Sequence, residues 1–104
     1  MGIRKKAESS IEKSACAKAF QRYGVRSFKM NGPGRRGNPD RLFYWRERNL
    51  LFIEFKRPGE EPEPLQLHVH HILRDCGFQV EVCDNVEDAL QHIRLAVERG
   101  ADYD

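Results

Sequence analysis

The sequence has few cysteines and no apolar stretch long enough to cross a membrane. Its three cysteines are an odd number and form no C-x-x-C pair, which argues against a disulfide framework and against a zinc ribbon. No apolar run approaches the ~20 residues of a membrane-spanning helix. No apolar stretch follows the basic residues at the start of the chain either, so we expect no signal peptide. These absences favour a reducing, cytoplasmic setting.

A strong net charge is also lacking, because 18 Lys and Arg residues nearly balance 16 Asp and Glu residues. The balance hides an asymmetry along the chain. Residues 1–57 carry 15 Lys and Arg against 5 Asp and Glu, whereas residues 58–104 carry 3 against 11. The first part alone is typical of a polyanion-binding protein. The alternative is that the two parts pack together and pair their charges, although surface ion pairs contribute little.

The 104 residues, of which 39% are hydrophobic, suffice for one domain with a modest core. We therefore expect a single domain over residues 1–104. A chain of this size leaves much apolar surface uncovered, and oligomerisation is a common way to bury it.

Hydrophobic spacing and turn residues predict seven elements. Three are helices and four are strands: a helix over 8–23, strands over 25–30, 42–45 and 50–55, a helix over 65–77, a strand over 78–83, and a helix that begins after Asp84 or Asn85. This order predicts an α/β fold with a mixed sheet of about four strands flanked by helices.

Two acidic residues and a lysine are predicted to meet where the second and third strands adjoin. Asp40 opens the second strand after a glycine-rich loop, and Glu54 and Lys56 end the third strand. Side chains two residues apart on a strand share a face, and the hairpin brings Asp40 beside Glu54. Neighbouring carboxylates repel each other unless a cation separates them, and Mg²⁺ accepts such ligands together with phosphate oxygens. The alternative is a plain ion pair between Glu54 and Lys56.

Four segments together resemble a known family. They are G-N-P-D-R-L at 37–42, F-I-E-F-K-R-P-G at 52–59, P-L-Q at 64–66, and the leucine-to-phenylalanine stretch at 73–78. This combination is similar to the virus-type replication–repair nuclease (VRR-NUC) domain of the PD-(D/E)XK nuclease superfamily, over roughly residues 8–95. The resemblance implies a single-domain restriction-endonuclease-like fold and an endonuclease that hydrolyses DNA phosphodiester bonds with Mg²⁺ or Mn²⁺.

The small stand-alone members of that family, mostly of phage and bacterial origin, look like nucleases that select DNA by its structure. The resemblance therefore implies a homodimer that acts on branched DNA, including four-way junctions, in repair or recombination. The location it implies is the cytoplasm of a bacterial or phage-infected cell. No membrane partner is expected.

The resemblance also implies the site residues. Asp40 and Glu54 become metal ligands, Phe55 joins the metal-binding set, and Lys56 becomes the catalytic lysine. Gln66 matches the family's glutamine at the start of the second helix, where it would orient Lys56, a water or a phosphate. Helix capping is the alternative role for Gln66.

A glutamate in the first helix completes the implied metal set. Glu8 and Glu12 lie one turn apart on one face and fit the family pattern E-x-x-I-E/Q. Glu8 is the preferred catalytic residue, and both are candidate metal ligands. The alternative is that both are solvated acids near the helix start, where the helix dipole favours negative charge.

Arginines near the glycine-rich loop and the strand ends are expected to contact DNA phosphates: Arg35, Arg36, Arg41 and Arg57. Such contacts give salt-dependent binding that does not depend on sequence. Because no base-reading helix pattern is present, we expect DNA shape to matter more than sequence.

The histidines and cysteines carry weaker signals. His68, His70 and His71 lack the i, i+4 spacing of helical metal ligands, so we expect no zinc site there. One of them could instead approach the active-site face or the DNA. His92 is expected at the surface, and the three cysteines are expected in the core.

Two alternative functions remain. One is a nuclease of the same superfamily that acts on flapped, nicked or duplex DNA. The other is a non-catalytic DNA-binding module with the same basic face. The set of Asp40, Glu54 and Lys56 argues against the module, because a pure binder gains nothing from crowding two carboxylates where DNA approaches.

Overall fold

The structure is a computed structural model that describes residues 2–47 and 49–102, with side chains described from 7 to 47 and from 49 to 100. The elements follow the predicted order: α1 (Gly2–Tyr23), β1 (Arg26–Lys29), β2 (Arg41–Trp45), β3 (Asn49–Phe55), α2 (Pro64–Asp75), β4 (Val80–Cys83) and α3 (Val86–Asp102). The predicted fold class, a four-stranded mixed sheet flanked by helices, is confirmed. None of the helices described is long and apolar enough to span a membrane.

The sheet has the strand order β1-β2-β3-β4. Strands β1, β2 and β3 are antiparallel neighbours, and β3 and β4 run parallel. A parallel pair needs a crossover connection, and α2 supplies it. The active-site candidates therefore lie where the β2–β3 hairpin meets the start of that crossover.

The alternation of side chains along β3 assigns each residue to a face. Leu51, Ile53 and Phe55 are buried in the apolar core that the sheet forms with α1 and α3. Phe52 and Glu54 point to the other face, where Phe52 meets the ring of Phe78 edge-on at 5.7 Å between centroids. The packing of Ile53 and Phe55 in the core forces Glu54 to the opposite face.

Local signals explain where two helices begin and end. Gly24 has a positive φ of 67°, and the amides of Gly24 and Val25 donate to the carbonyls of Phe20 and Ala19, which is a C-terminal helix stop. The side chain of Asn85 accepts the amide proton of Asp88 at 2.7 Å and caps α3. Of the two predicted caps, Asn85 therefore accepts this hydrogen bond.

Helix α1 is longer than predicted, because it begins at Gly2 and not at residue 8. Its extra turns contain Arg, Lys and Ala, which have high helix propensity but no apolar periodicity to reveal them. Helix α3 likewise runs past Gly100. A Cβ atom at Gly100 would lie 3.0 Å from the Asn49 side chain, so this glycine provides close packing.

Gly37 has no side chain, which allows the glycine-rich loop to pack closely against α2. Its φ is +88°, and a Cβ atom there would lie 2.8 Å from Leu65 Cγ and 3.0 Å from Val69 Cγ2. Gly34 also has positive φ, +75°, but a Cβ atom there would meet no atom within 4 Å. A substitution at Gly34 would therefore cause backbone strain alone, whereas one at Gly37 would cause backbone strain and a steric conflict with α2.

We expect Gly37→Ala to destabilise the protein more than Gly34→Ala. The Gly34 variant should lose about 1–2 kcal/mol from backbone strain, and the Gly37 variant should lose a further ~1–3 kcal/mol from overpacking against α2. Urea unfolding of both variants and the wild type measures the difference. Equal losses would contradict the proposed contact between the loop and α2.

Candidate active site

Asp40 lies one residue before the first β2–β3 pair, in the register that puts it opposite Glu54. Its Oδ2 accepts the backbone amide proton of Phe55 at 2.6 Å, and its Oδ1 accepts a hydrogen bond from the Asn31 side chain. These bonds attach Asp40 to the end of β3. The structure therefore brings Asp40 to Glu54, as the hairpin predicts.

Glu54 is completely buried on the α2 face of the sheet. Its Oε1 lies 2.8 Å from His70 Nε2, and its Oε2 lies 3.4 Å from Lys56 Nζ. Within the described part of the chain, Oε2 has no hydrogen-bond partner. The carboxylate is thus anchored through one oxygen, and the other oxygen faces the lysine.

Sequence reasoning allowed one of the three α2 histidines to approach the active-site face without saying which, and the structure shows that His70 does so, against Glu54. The ring projects from α2 and is fully buried. Burial lowers its pKa, and the charges of Arg74 and Lys56 lower it further, so the ring is neutral near pH 7. In the tautomer with a proton on Nε2, the ring donates to Glu54. One signal was available: His70 follows Gln66 by four residues, which puts both on one face of α2.

The two candidate glutamates of α1 both reach the site. Glu12 Oε2 lies 2.6 Å from Arg41 Nε, and the charge of Glu12 raises the pKa of Asp40. Glu8 hydrogen-bonds to Glu60 and is close enough to Lys56 and Asp40 for their charges to act on it. Glu8 therefore lies near the lysine, while Glu12 is partly neutralised by an arginine.

A cleft of about 610 Å³ opens between α1, the glycine-rich loop and the start of α2. Its walls carry carboxylates, arginines and amides, among them Glu8, Glu12, Asp40, Arg35, Arg36, Asn31 and Gln66. Because Glu54 is completely buried, it lies behind Asp40 as seen from the cleft. The site thus has an outer part that is open to solvent and an inner part, around Glu54, that is buried.

The predicted DNA-contacting arginines occupy different positions. Arg35 and Arg36 are exposed and line the cleft. Arg57 lies 3.3 Å from Glu60 Oε2, and its side chain is 43% exposed. Arg41 uses its Nε on Glu12, so only its terminal nitrogens are left for a phosphate.

Gln66 performs the capping role that was one of its two predicted alternatives. Its Oε1 accepts the backbone amide proton of Glu63 at 2.8 Å, which forms a capping box at the start of α2. Gln66 also lines the cleft. Within the residues that the structure places, its Nε2 has no hydrogen-bond partner, so the cap leaves that group able to donate.

Three carboxyl groups of the site hold their protons more tightly than usual. Burial raises the pKa of Asp40 to about 6, with repulsion from Glu12 and Glu54 adding to the effect. Burial also raises the pKa of Glu54 to about 7, although Lys56 opposes the shift. The pKa of Glu8 rises to about 7, first through burial and then through its hydrogen bond to Glu60. Crowded, partly dry carboxyls of this kind favour a bound cation.

The profile of the VRR-NUC domain family matches residues 3–87 of this chain. The chain belongs to the VRR-NUC family. A solved structure titled "VRR_NUC domain" superposes with a TM-score of 0.73 at 28% identity, covering 85% of this chain and 95% of that one. A protein of Acyrthosiphon pisum secondary endosymbiont phage 1, named "Putative nuclease p44", is 42% identical over 78 residues, which are 75% of this chain and 83% of that protein.

The VRR-NUC assignment confirms the resemblance inferred from the motifs and makes the chain a nuclease-family protein. The matched span of 3–87 contains all the candidate site residues, from Glu8 to Gln66, and His70 as well. Most of α3 lies beyond it. The roles of the individual side chains within this VRR-NUC domain are proposals, developed below.

The raised carboxyl pKa values predict how the stability of the metal-free protein depends on pH. Protons bound by Asp40, Glu54 and Glu8 stabilise the fold below the ordinary carboxyl pKa, and this contribution is lost as pH rises through about 6 to 7. In EDTA, the melting temperature should therefore fall between about pH 5.5 and 8, and Mn²⁺ should restore it at the upper end.

Asp40→Asn should reduce this pH dependence, because it removes one of the three titrating groups and the repulsion between Asp40 and Glu54. Glu61→Gln is the matched control, since Glu61 is exposed and lies outside the cleft. Thermal unfolding followed by circular dichroism provides the measurement. A melting temperature that rises steadily over this range in EDTA would contradict the assigned pKa directions.

Proposed function

We propose that the protein is a divalent-metal-dependent endonuclease that hydrolyses DNA phosphodiester bonds, with Asp40, Glu54 and Lys56 at its active centre. The observation that carries the proposal is the buried Glu54 carboxylate. Its Oε2 has no hydrogen-bond partner among the described residues and lies 3.4 Å from Lys56 Nζ. The buried carboxylate has the Lys56 ammonium as its charged neighbour at Oε2, and a second acid, Asp40, lies beside it, so the pair of acids supports a role in binding a cation.

The donor set fits a hard divalent ion such as Mg²⁺ or Mn²⁺. Asp40 and Glu54 offer carboxylate oxygens, and Phe55 can offer only its backbone carbonyl, because its side chain is in the core. Glu8 and Glu12 provide further carboxylates at the cleft, with Glu8 preferred because Glu12 is paired with Arg41. When bound, such an ion lowers the pKa of a coordinated water and offsets negative charge on the phosphodiester.

The chain's own groups position the reactants. Lys56 is only 8% exposed, and its ammonium group pairs with Glu54, so it has few orientations. Because little water surrounds the ammonium group, its interactions with other charges are stronger than in bulk solvent. There it can hold a water for in-line attack and stabilise charge that develops on the phosphate. Asp40 is oriented by Asn31 and the Phe55 amide, so it presents its remaining lone pairs in a fixed direction.

DNA binding is proposed for the cleft and its rim. Arg35 and Arg36 lie on the exposed loop that forms one wall, where phosphate contacts would be independent of base sequence. Arg57 and the terminal nitrogens of Arg41 are further phosphate donors. Gln66 lines the same cleft, and its amide nitrogen is proposed to contact a phosphate there.

We further propose that the substrate is branched DNA, such as a four-way junction, and that the active form is a homodimer. A two-fold symmetric dimer matches the symmetry of the junction and would place two cuts across it. Exposed rings near edge strand β1 support an interface: Phe20 is 51% and Phe28 is 56% exposed. The similarity to a phage protein supports a setting in the cytoplasm of a bacterial cell.

Cleavage of a labelled four-way junction tests the activity. We expect wild-type protein to cut it with Mg²⁺ and not with EDTA. Asp40→Asn and Lys56→Met should each lower the rate by more than about 100-fold, because each removes a group that acts in the transition state. Junction binding, measured by gel shift in Ca²⁺, should persist in both variants.

Three controls separate the alternatives. Lys13→Met removes an exposed lysine of α1 outside the cleft and should cut at the wild-type rate. Linear, nicked and flapped duplexes of the same sequence report substrate selectivity, and equal rates on all of them would reject the branched-DNA proposal. Binding without any cleavage in Mg²⁺ or Mn²⁺ would identify a binding module and reject the enzyme.

His70 is proposed as a positioning residue, because it contacts Glu54 and not the substrate. His70→Ala should lower kcat by about 10- to 100-fold and weaken Mn²⁺ binding by a similar factor, since an unanchored ligand loses its orientation. KM for the junction should change little. His70→Gln, which can place an amide donor near the Nε2 position, should recover part of kcat.

His68→Ala is the matched control for His70, because His68 lies on the same helix and is exposed. It should leave kcat and Mn²⁺ affinity unchanged. If His70→Ala merely destabilises the fold, lowering the temperature will restore kcat fully, and Mn²⁺ affinity will equal that of the wild type. That result would reject the positioning role.

A further inference from the structure

A second cluster of metal-binding side chains lies between β4 and α3, away from the cleft. Cys83 Sγ, one carboxylate oxygen of Asp88 and one ring nitrogen of His92 all lie within 4.8 Å of one another. Glu81 adjoins them, with Oε1 at 3.9 Å from His92 Nε2. None of these residues belongs to the proposed hydrolytic site.

The fold explains why these four side chains converge. Glu81 and Cys83 are two apart on β4 and therefore share the face that packs against α3. Asp88 and His92 are four apart on α3, the spacing that puts two ligands on one side of a helix. Glu81 and Cys83 on β4 thus face Asp88 and His92 on α3. The sequence motif is E-x-C followed by D-x-x-x-H, with four residues between the cysteine and the aspartate.

The spacing between donors suits a tetrahedral ion. Metal–ligand bonds of about 2.0–2.3 Å place neighbouring donors roughly 3.3–3.8 Å apart. His92 Nε2 lies 3.7 Å from Asp88 Oδ1 and 3.9 Å from Glu81 Oε1. Gln79 donates to the other oxygen of Glu81 at 3.1 Å, which orients Oε1 toward the histidine.

Burial and charge add to the geometry. Cys83 is completely buried, whereas the side chains of His92, Glu81 and Asp88 are 30%, 29% and 44% exposed, so an ion can enter from the solvent side. Burial raises the pKa of Cys83 well above its ordinary range, and Asp88, Glu81 and Asp84 raise it further. Without metal, the Cys83 thiol hydrogen-bonds to Asp88, so the sulfur and a carboxylate oxygen already lie side by side.

We propose that Cys83, Asp88 and His92 form a Zn²⁺ site, with Glu81 beside His92. The sulfur and imidazole donors distinguish it from the all-oxygen hydrolytic site, because soft and intermediate donors select zinc over magnesium. On binding, the Cys83 S–H bond gives up its proton to the buffer, and the thiolate sulfur donates an electron pair to the ion.

The site has a structural consequence for the catalytic strand. The carbonyl oxygen of Cys83 accepts the backbone amide proton of Lys56 at 2.9 Å. A Zn²⁺ ion that joins β4 to α3 therefore fixes the strand against which the end of β3 is paired. Its role is to stabilise this corner of the sheet, because it would join Cys83 on β4 to Asp88 and His92 on α3.

Cobalt substitution tests the site directly in the full-length protein. In an Asp40→Asn background, which weakens the hydrolytic site, one equivalent of Co²⁺ should produce the near-ultraviolet sulfur-to-cobalt absorption and the visible bands of a tetrahedral thiolate complex. His92→Gln should weaken Co²⁺ and Zn²⁺ binding by more than about tenfold, because even an outer partner of a ligand contributes that much. Zn²⁺ should displace Co²⁺ and abolish the bands.

Cysteine variants provide the matched comparison. Cys83→Ser should remove the sulfur-to-cobalt absorption, while Cys76→Ser should retain it. Cys76 is exposed at the end of α2, so the prediction that all three cysteines lie in the core was wrong for this one. Cys76 follows the last residue of α2, where the chain turns toward β4.

Calorimetry of Zn²⁺ binding in buffers with different ionisation enthalpies adds an independent readout. The wild type should release about one thiol proton per ion near neutral pH, because Cys83 is protonated without metal. If Cys83→Ser fails to fold, His92→Gln, which alters a half-exposed side chain, decides the matter. Absence of the bands in the Asp40→Asn protein, or their persistence in Cys83→Ser or His92→Gln, would overturn the proposal.

Discussion

The burial of the Glu54 carboxylate is the constraint on which the site depends. A charged group without solvent contact must have partners, and His70 from α2 and Lys56, the residue that follows β3, provide them. These contacts tie the crossover helix to the end of β3. The apolar neighbours Ile53 and Phe55 anchor the strand in the core, so Glu54 has no other direction in which to point. Core packing thus determines the orientation of a polar side chain.

The cleft combines acids that repel one another with arginines that would attract DNA. Burial and the charges of Glu12 and Glu54 raise the pKa of Asp40, whereas Arg35 and Arg36 line the cleft from the neighbouring loop. The arrangement suits a nuclease of the VRR-NUC family, because a bound cation would offset the repulsion between these acids and a polyanion.

The two proposed metal sites lie on opposite faces of the sheet and differ in chemistry. Asp40 and Glu54 offer hard oxygen donors to one, while Cys83 and His92 offer sulfur and nitrogen to the other. The hydrogen bond from the Lys56 amide to the Cys83 carbonyl links the strands that carry them. A metal ion bound between β4 and α3 would therefore help to hold the end of β3, and with it Lys56, in position.

The sequence alone determined the element order, the mixed sheet, the family, and the meeting of Asp40, Glu54 and Lys56, because strand alternation and a short hairpin are local rules. Only the tertiary structure revealed His70 beneath Glu54, the pairing of Arg41 with Glu12, and the convergence of Cys83 with His92. Each of these contacts joins different elements. Their partners depend on how helices pack onto the sheet, and residue spacing within a single element carries no information about that packing.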